Sequence, residues 1–473
     1  MAVHVLLFPW PVQGHINPML HLASALLDAG LRVTFLHTEH NLRHLAGAPH
    51  DQRLRVLSVP DGLPDDHPRS VSGLMELFES MRTAGCAAFR ALLRAEAEVT
   101  CVVADGTMPF AVAAAQEAGV PALAFRTESA CGFLCYLSVP RLVELGELVP
   151  SDVEPVRGVP GMEGFLRRCD LPRVAPSSDT DPVPVLLAVA GTAARCAEEP
   201  QAVILNTAAS MEAETVARIA SRVRGEVFTV GPLHAMHHRH AAGAEEVEPD
   251  DDDDGGCAAW LDGHADRSVV YLNLGSLTIL SAEQLAELLN GVAAAGYPFL
   301  CVLRADMVSS DGGPQASDVL RLREAAGERA LLVEWAAHRD VHRALRHRAV
   351  GCFLTHAGWN SVLEAAVAGV PMVCWPYFAD QQTVSRFVGA VWKTGLDMKG
   401  VLDGAVVARM VREAMEDPGI RAAAQAMANQ LRMDVAPGGS SASHMERLVG
   451  FINNLSAGKD QSRDDVRNSS PAA

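Results

Sequence analysis

Between Val350 and Pro376 the sequence runs an apolar strand, a three-residue turn, a short helix and a second strand with no linker between them. Val350–Thr355 suits a buried strand, His356-Ala357-Gly358 is the turn, and Trp359–Ala368 is a helix opening on Asn360 and Ser361. Gly369-Val370-Pro371 stops the helix before the next strand, Met372–Pro376. A helix that opens directly after a strand presents free backbone N–H groups and the positive end of its dipole, a ready site for a phosphate. His356, Asn360 and Ser361 surround that helix start with hydrogen-bond donors, and Glu364, one turn on, can accept from a pair of sugar hydroxyls. Upstream, Trp335 offers a flat face for a base. One segment therefore carries parts for a base, a ribose and a diphosphate.

The same strand–helix alternation runs through the chain. Val3–Phe8, helix Asn17–Ala29 and Leu31–His37 make a βαβ unit, with Pro9–Ile16 as a turn-rich loop. Strands follow at Val99–Ala104, Ala122–Phe125, Val203–Asn206 and Val227–Val230. Helices are expected at Leu74–Glu98, Pro109–Ala118 and Gly132–Leu145, and a Pro-, Gly- and Asp-rich loop region at Pro150–Pro184. Residues 241–256, which include EEVEPDDDDDGG, read as a solvated linker that cannot fold alone. Alternation restarts with strands Val269–Asn273, Phe299–Leu303 and Ala330–Glu334 and helix Ala282–Ala294. Helices Gly404–Asp417, Ile420–Asp434 and Ser440–Leu455 close it. The expected architecture is α/β: two doubly wound Rossmann-like domains facing across a cleft, 1–240 and 257–439, with a polar, disordered tail at 456–473.

At 473 residues the chain has room for two or three domains, and 49% apolar residues supply their cores. The net charge of −18 argues against nucleic acid or an anionic membrane as partner. The ten cysteines include no CxxC pair; Cys131 and Cys135 are four apart, which suits a reduced, cytoplasmic thiol set. Val3–Phe8 lacks a basic n-region and runs into Pro9 and Pro11, so it reads as a strand rather than a signal peptide. No apolar run approaches the ~18 residues of a membrane span. His234, His237, His238 and His240 cluster without helix spacing or a cysteine partner, so no metal site is assigned.

In open parallel sheets ligands gather outside the carboxyl ends of the strands. Those ends carry His15, Asp105 and Thr127 in the first half, and Ser276, His356, Asp380 and Gln381 in the second. The run GCFLTHAGWNSVLEAAVAGVPMVCWPYFADQ, Gly351–Gln381, resembles the signature box of plant family-1 UDP-sugar glycosyltransferases. The box is less orthodox at its front. Ala337-His338 stands where the family has Pro-Gln, and three residues are added around His342-Arg343-Ala344.

The resemblance implies the GT-B fold and a UDP-sugar donor. It implies that His15, in PVQGHINP, is the general base and that Asp105, in VVADGTMPF, orients its ring. Donor-binding positions carried over by motif are Ser276, Trp335, His338, His356, Trp359, Asn360, Ser361 and Glu364, with Thr127, Asp380 and Gln381 at the sugar. A terminal Gln in the box points to UDP-glucose as co-substrate, with no metal and no other cofactor required. In relatives the last helix crosses back onto the first domain, and the same is expected here.

Arg126 stands where relatives usually have Trp. It either reads an anion, on the acceptor or on a uronic-acid sugar, or pairs at the surface with Glu128. Trp10, Phe78, Met81, Phe110 and Phe133 are the candidates for an apolar acceptor pocket. DGTMPF, ESACGFLCYL, VPGM and CDLP most resemble the subgroup acting on small terpenoid, cyanogenic and iridoid aglycones. A monomer is expected. A dehydrogenase is disfavoured because no GxGxxG follows the first strand. A non-catalytic UDP-sugar-binding protein would keep the box and tolerate loss of His15.

Overall fold

The computed structural model describes residues 3–44, 53–67, 69, 73–149, 151, 153–174, 182–236, 256–304, 307, 329–333, 343–399 and 402–468, with side chains to residue 456. The chain divides into two units. The first comprises 1–144, 181–245 and 433–473; the second comprises 145–180 and 246–432.

The first unit is built on a seven-stranded, all-parallel sheet. Its strands are β1 (His4–Phe8), β2 (Arg32–Thr38), β3 (Arg55–Val59), β4 (Cys101–Asp105), β5 (Ala122–Arg126), β6 (Ala202–Leu205) and β7 (Glu226–Thr229), in the order β3-β2-β1-β4-β5-β6-β7. Both faces are covered, as a parallel sheet requires, and successive residues alternate between two cores. Val5, Leu7, Val33, Phe35 and Val103 pack against helix Gln13–Asp28 and the last helix. Leu6, Phe8, Leu36, Val102 and Ala104 pack against helices Cys86–Ala95 and Pro109–Glu117. Each fully buried Leu or Phe here contributes about 1.5–3 kcal/mol.

The second unit has a six-stranded parallel sheet: β8 (Val269–Asn273), β9 (Phe299–Val302), β10 (Ala330–Val333), β11 (Val350–Thr355), β12 (Met372–Cys374) and β13 (Gly395–Asp397), ordered β10-β9-β8-β11-β12-β13. Val270, Leu272, Cys352, Leu354 and Val373 form one core with helices Ala282–Ala295 and Gly404–Glu416. In both sheets the strand order reverses once, between β1 and β4 and between β8 and β11. Those are the topological switch points, where neighbouring connections leave in opposite directions and open a crevice.

The expected α/β, doubly wound class is found in both units, and several details differ. Helix Gln13–Asp28 begins four residues early and takes Pro18 inside it; Val12 at its N-cap makes no side-chain cap, so nothing in the sequence marks the start. Residues 145–180 group with the second unit, not with the first half of the chain. The last helix spans Ser440–Asn468 instead of ending at Leu455, because no proline interrupts the polar stretch beyond it. It belongs to the first unit, with Met445, Leu448 and Ile452 in that core. Finally, the long helix expected at Leu74–Glu98 runs from Leu74 to Ala95 but carries a π-helical turn at Met81–Gly85. The linker at 241–255 lies outside the described residues.

Candidate active site

In the first unit the switch point brings the ends of β1 and β4 together. His15 lies in the first turn of helix Gln13–Asp28, and Asp105 is the last residue of β4. His15 Nδ1 is 2.8 Å from Asp105 Oδ2. An ionised carboxylate can only accept, so the proton of the neutral ring is on Nδ1 and Nε2 carries the lone pair. Thr127 Oγ1, from just beyond β5, lies 2.9 Å from the same Nδ1. The far side of the carboxylate is held by Thr107, whose N–H and hydroxyl donate to Oδ1 at 2.9 and 2.7 Å.

The imidazole is 23% exposed and the carboxyl 1%. Burial acts against charge on both. On Asp105 the attraction of His15 and the bonds from His15 and Thr107 outweigh burial and hold its carboxyl below the usual range. On His15 burial pulls the pKa down, but the charge and hydrogen bond of Asp105, then the charge of Glu128, bring it above the ordinary value; Arg126 opposes them.

Arg126 is neither on the surface nor free to read an anion. It is buried, 3% exposed, and its Nε and Nη2 donate to Glu128. Its Nη1 donates to the Gly106 carbonyl at 2.8 Å, and its guanidinium lies 4.6 Å over the Phe133 ring. Burial opposes that charge and Glu128 overcomes it. Gly106 is required beside it, since a Cβ there would stand 2.2 Å from Arg126 Cδ.

Of the apolar acceptor candidates, Trp10, Phe78, Met81 and Phe110 share one cluster, with the Trp10 and Phe78 rings 5.6 Å apart. Met81 and Phe133 are fully buried and therefore serve as core, not as pocket lining. Phe78 remains half-buried, and Trp10 and Phe110 are nearly covered.

In the second unit the switch point joins the loops after β8 and β11. Gly275 adopts φ +73°, and a Cβ on it would meet the His356 ring at 2.6 Å; one on Gly358 would meet it at 2.3 Å. Glycine at both positions is what lets the imidazole sit there. His356 Nδ1 is sealed from solvent with no partner among the described residues. Burial, then the charge of Arg304, pushes its pKa down to about 4, so the ring is neutral at pH 7. An orphaned ring nitrogen beside the start of helix Trp359–Ala368 fits an anionic ligand there.

Asn360 and Ser361, in that first turn, are half-buried, Ser276 is exposed, and Glu364 is buried. Trp359 is buried, with its ring 6.1 Å from that of Trp392. Trp335 and His338 lie outside the described residues.

Beyond β12, Asp380 and Gln381 are buried at the start of helix Gln381–Arg386. The N–H groups of Tyr377 and Phe378 donate to Gln381 Oε1 at 2.9 and 3.0 Å. That fixes the amide, leaving its NH2 as the group free to face a ligand. Two contributors escaped the sequence reading. Thr107 follows Asp105 at the spacing of an Asx-turn, and Arg304, beyond β9, donates to the carbonyls of Gly275 and Thr278. Applying the strand-end rule to β9 would have found Arg304.

The family model described as "UDP-glucoronosyl and UDP-glucosyl transferase" matches residues 4–424. A 7-deoxyloganetic acid glucosyltransferase of Catharanthus roseus is 37% identical over 488 aligned positions, covering 96% of this chain and 98% of that protein. A myricetin 3-O-rhamnoside 1,2-glucosyltransferase of Crocosmia x crocosmiiflora is 39% identical, covering 96% of each. Among solved structures, Os79 from O. sativa in complex with UDP superposes with a TM-score of 0.76 at 29% identity, over 95% of this chain and 100% of that one.

Proposed function

The chain belongs to the UDP-glucoronosyl and UDP-glucosyl transferase family and is a GT-B UDP-glycosyltransferase, and from that premise we propose that it moves glucose from UDP-glucose to a hydroxyl or carboxyl of a small lipophilic acceptor, inverting the anomeric carbon. The observation that carries this reading is the 2.8 Å contact between His15 Nδ1 and Asp105 at the switch point of the first sheet. With Nδ1 held, Nε2 is the atom that takes the acceptor's proton as its oxygen attacks C1 of the sugar. Asp105 and Thr127 keep the ring in that tautomer, and Asp105 stabilises the imidazolium as it forms.

As the C1–O bond to the diphosphate breaks, charge grows on the leaving group. The neutral His356 donates to it, together with Ser361, Asn360, Ser276 and the N–H groups at the start of helix Trp359–Ala368. No divalent ion is required in this reading. Glu364 accepts from the ribose hydroxyls, and Asp380 and the Gln381 NH2 read the sugar. A displacement in a single step inverts the donor's α linkage, so the product is a β-glucoside or β-glucose ester.

The names of the relatives include an iridoid acid and a flavonol rhamnoside as acceptors. Both support a small-molecule acceptor that carries a hydroxyl or a carboxyl for this chain. The test is UDP release from UDP-glucose with a panel of phenols, terpenols and small carboxylic acids, with product configuration read by NMR. Release that depends on the acceptor and β products are expected. An α product, or UDP release that is indifferent to acceptor, contradicts the proposal.

A further inference from the structure

The segment that the second unit takes from between helices Ala130–Glu144 and Pro182–Glu198 has so far no role in the reaction. Its stretch from Phe165 to Arg173 lies against the turn that carries Asp380 and Gln381. Arg173 and Ala379 form an antiparallel bridge, Arg173 N–H donating to Ala379 O at 3.0 Å and Ala379 N–H to Arg173 O at 2.7 Å. Ala379 has φ +56°, a left-handed conformation that costs a non-glycine residue about 1–2 kcal/mol. An exposed turn would relax out of it. Here two backbone bonds on one side and the Gln381 amide on the other hold it.

Beneath the turn lies a charged hub. Asp170 is fully buried, and its carboxylate accepts from Lys399 Nζ and from Arg167 Nη2 at 3.0 Å. Lys399 also donates to the Gln382 carbonyl at 3.0 Å, and the Thr383 hydroxyl donates to the Asp170 carbonyl at 2.7 Å. Arg167 and Lys399 reach Asp397, at the end of β13, at 3.2 and 3.3 Å. Arg386, one turn beyond Gln381–Thr383, donates to the Phe165 carbonyl at 3.0 Å. Ala379, Gln381, Gln382 and Thr383 are thus bonded, by backbone or side chain, to the strap, to Lys399 or within the turn itself.

We infer that Phe165–Arg173 is the positioning element of the sugar-reading turn, with the Asp170–Lys399 pair as its anchor. The inference rests on the reading of Asp380 and Gln381 as sugar readers. Discrimination between hydroxyl patterns needs those groups held to within about 0.5 Å, which a surface turn with a left-handed alanine cannot do alone. None of these bonds involves His356, Asn360, Ser361 or Glu364, so the device acts on the sugar and not on the nucleotide.

The test measures affinities of the full chain for UDP, UDP-glucose and UDP-galactose by calorimetry, with the kcat/KM ratio of the two sugar donors. Wild type is expected to prefer the glucose donor. In Lys399→Met the UDP affinity stays within about twofold, while the preference for glucose over galactose falls by about tenfold. Lys399→Arg restores most of it. Thr383→Val, which removes one uncharged bond, moves the ratio the same way by a smaller factor and guards against a Lys399→Met chain that fails to fold. A wild type that treats the two sugars alike overturns the reading of Asp380 and Gln381 and this inference with it. A wild type that discriminates, with variants that keep full discrimination or lose UDP and UDP-glucose affinity in parallel, overturns this inference alone.

Discussion

His15 owes its chemistry to neighbours on two strand ends: Asp105 from β4, and Thr127 from beyond β5 with the Arg126–Glu128 pair that flanks it. The charged groups of the first unit that bear on its ring are Asp105, Glu128 and Arg126, the first two raising its pKa and the third lowering it. A general base works when neutral, so activity falls as pH drops through the raised His15 pKa. Glu128→Gln removes a charge that raises it and is expected to move the acid limb of kcat/KM to lower pH. Arg126→Met removes one that lowers it and is expected to move the limb higher. Each leaves the other charge buried without its partner, at a cost to stability of about 3–5 kcal/mol. Opposite limb shifts in two similarly destabilised proteins are therefore the signature; limbs that move together, or not at all, refute the coupling. The sequence placed His15 and Asp105 at strand ends, where function collects, and the resemblance to the glycosyltransferase family paired them. It could not show that Arg126 is buried, since whether an Arg two residues from a Glu faces water depends on what covers it.

At the scale of elements, legibility followed local signals. Strands β8 and β11 and helix Trp359–Ala368 have the bounds read from the sequence, since apolar runs there end in glycines and turns. Strand β3, Arg55–Val59, went unread because it is a short edge strand, mostly half-buried, with Arg55 and Ser58 among its apolar residues. The strap at 165–173 was also hidden: it is held by bonds to residues more than 200 positions away, which no local pattern records. The last helix illustrates the long-range case. Besides Met445, Leu448 and Ile452 in the core, Ser441 donates to the Gly231 carbonyl at 2.6 Å, and His444 Nδ1 accepts from Thr229 N–H at 3.0 Å. Burial, then Arg447, lowers the His444 pKa, which keeps that nitrogen free to accept. Ending the chain at Pro437 removes three buried side chains worth about 5–9 kcal/mol together, comparable with the whole stability of a domain, about 5–15 kcal/mol. The truncated chain is expected to lose the melting transition of the first unit while UDP still stabilises the second. A truncated chain that melts like the full one contradicts that.

Over the whole molecule the chain passes between its two units four times, at 144/145, 180/181, 245/246 and 432/433. Composition suggested two halves, but only tertiary contacts could assign 145–180 to the second. Each unit carries its own cluster at the switch point of its own sheet, the His15–Asp105 pair in the first and His356 at the start of helix Trp359–Ala368 in the second, and the proposed function makes the one a proton acceptor and the other a diphosphate cradle. No described helix is long and apolar enough to cross a membrane. The division of labour is the central claim, and His15→Ala addresses it most directly when UDP affinity and glucosyl transfer are measured on the same preparation. The account predicts UDP binding within about twofold of wild type and transfer slower by about 10²–10⁴-fold. A variant that transfers glucose at the wild-type rate, or one that loses UDP binding along with transfer, would contradict it.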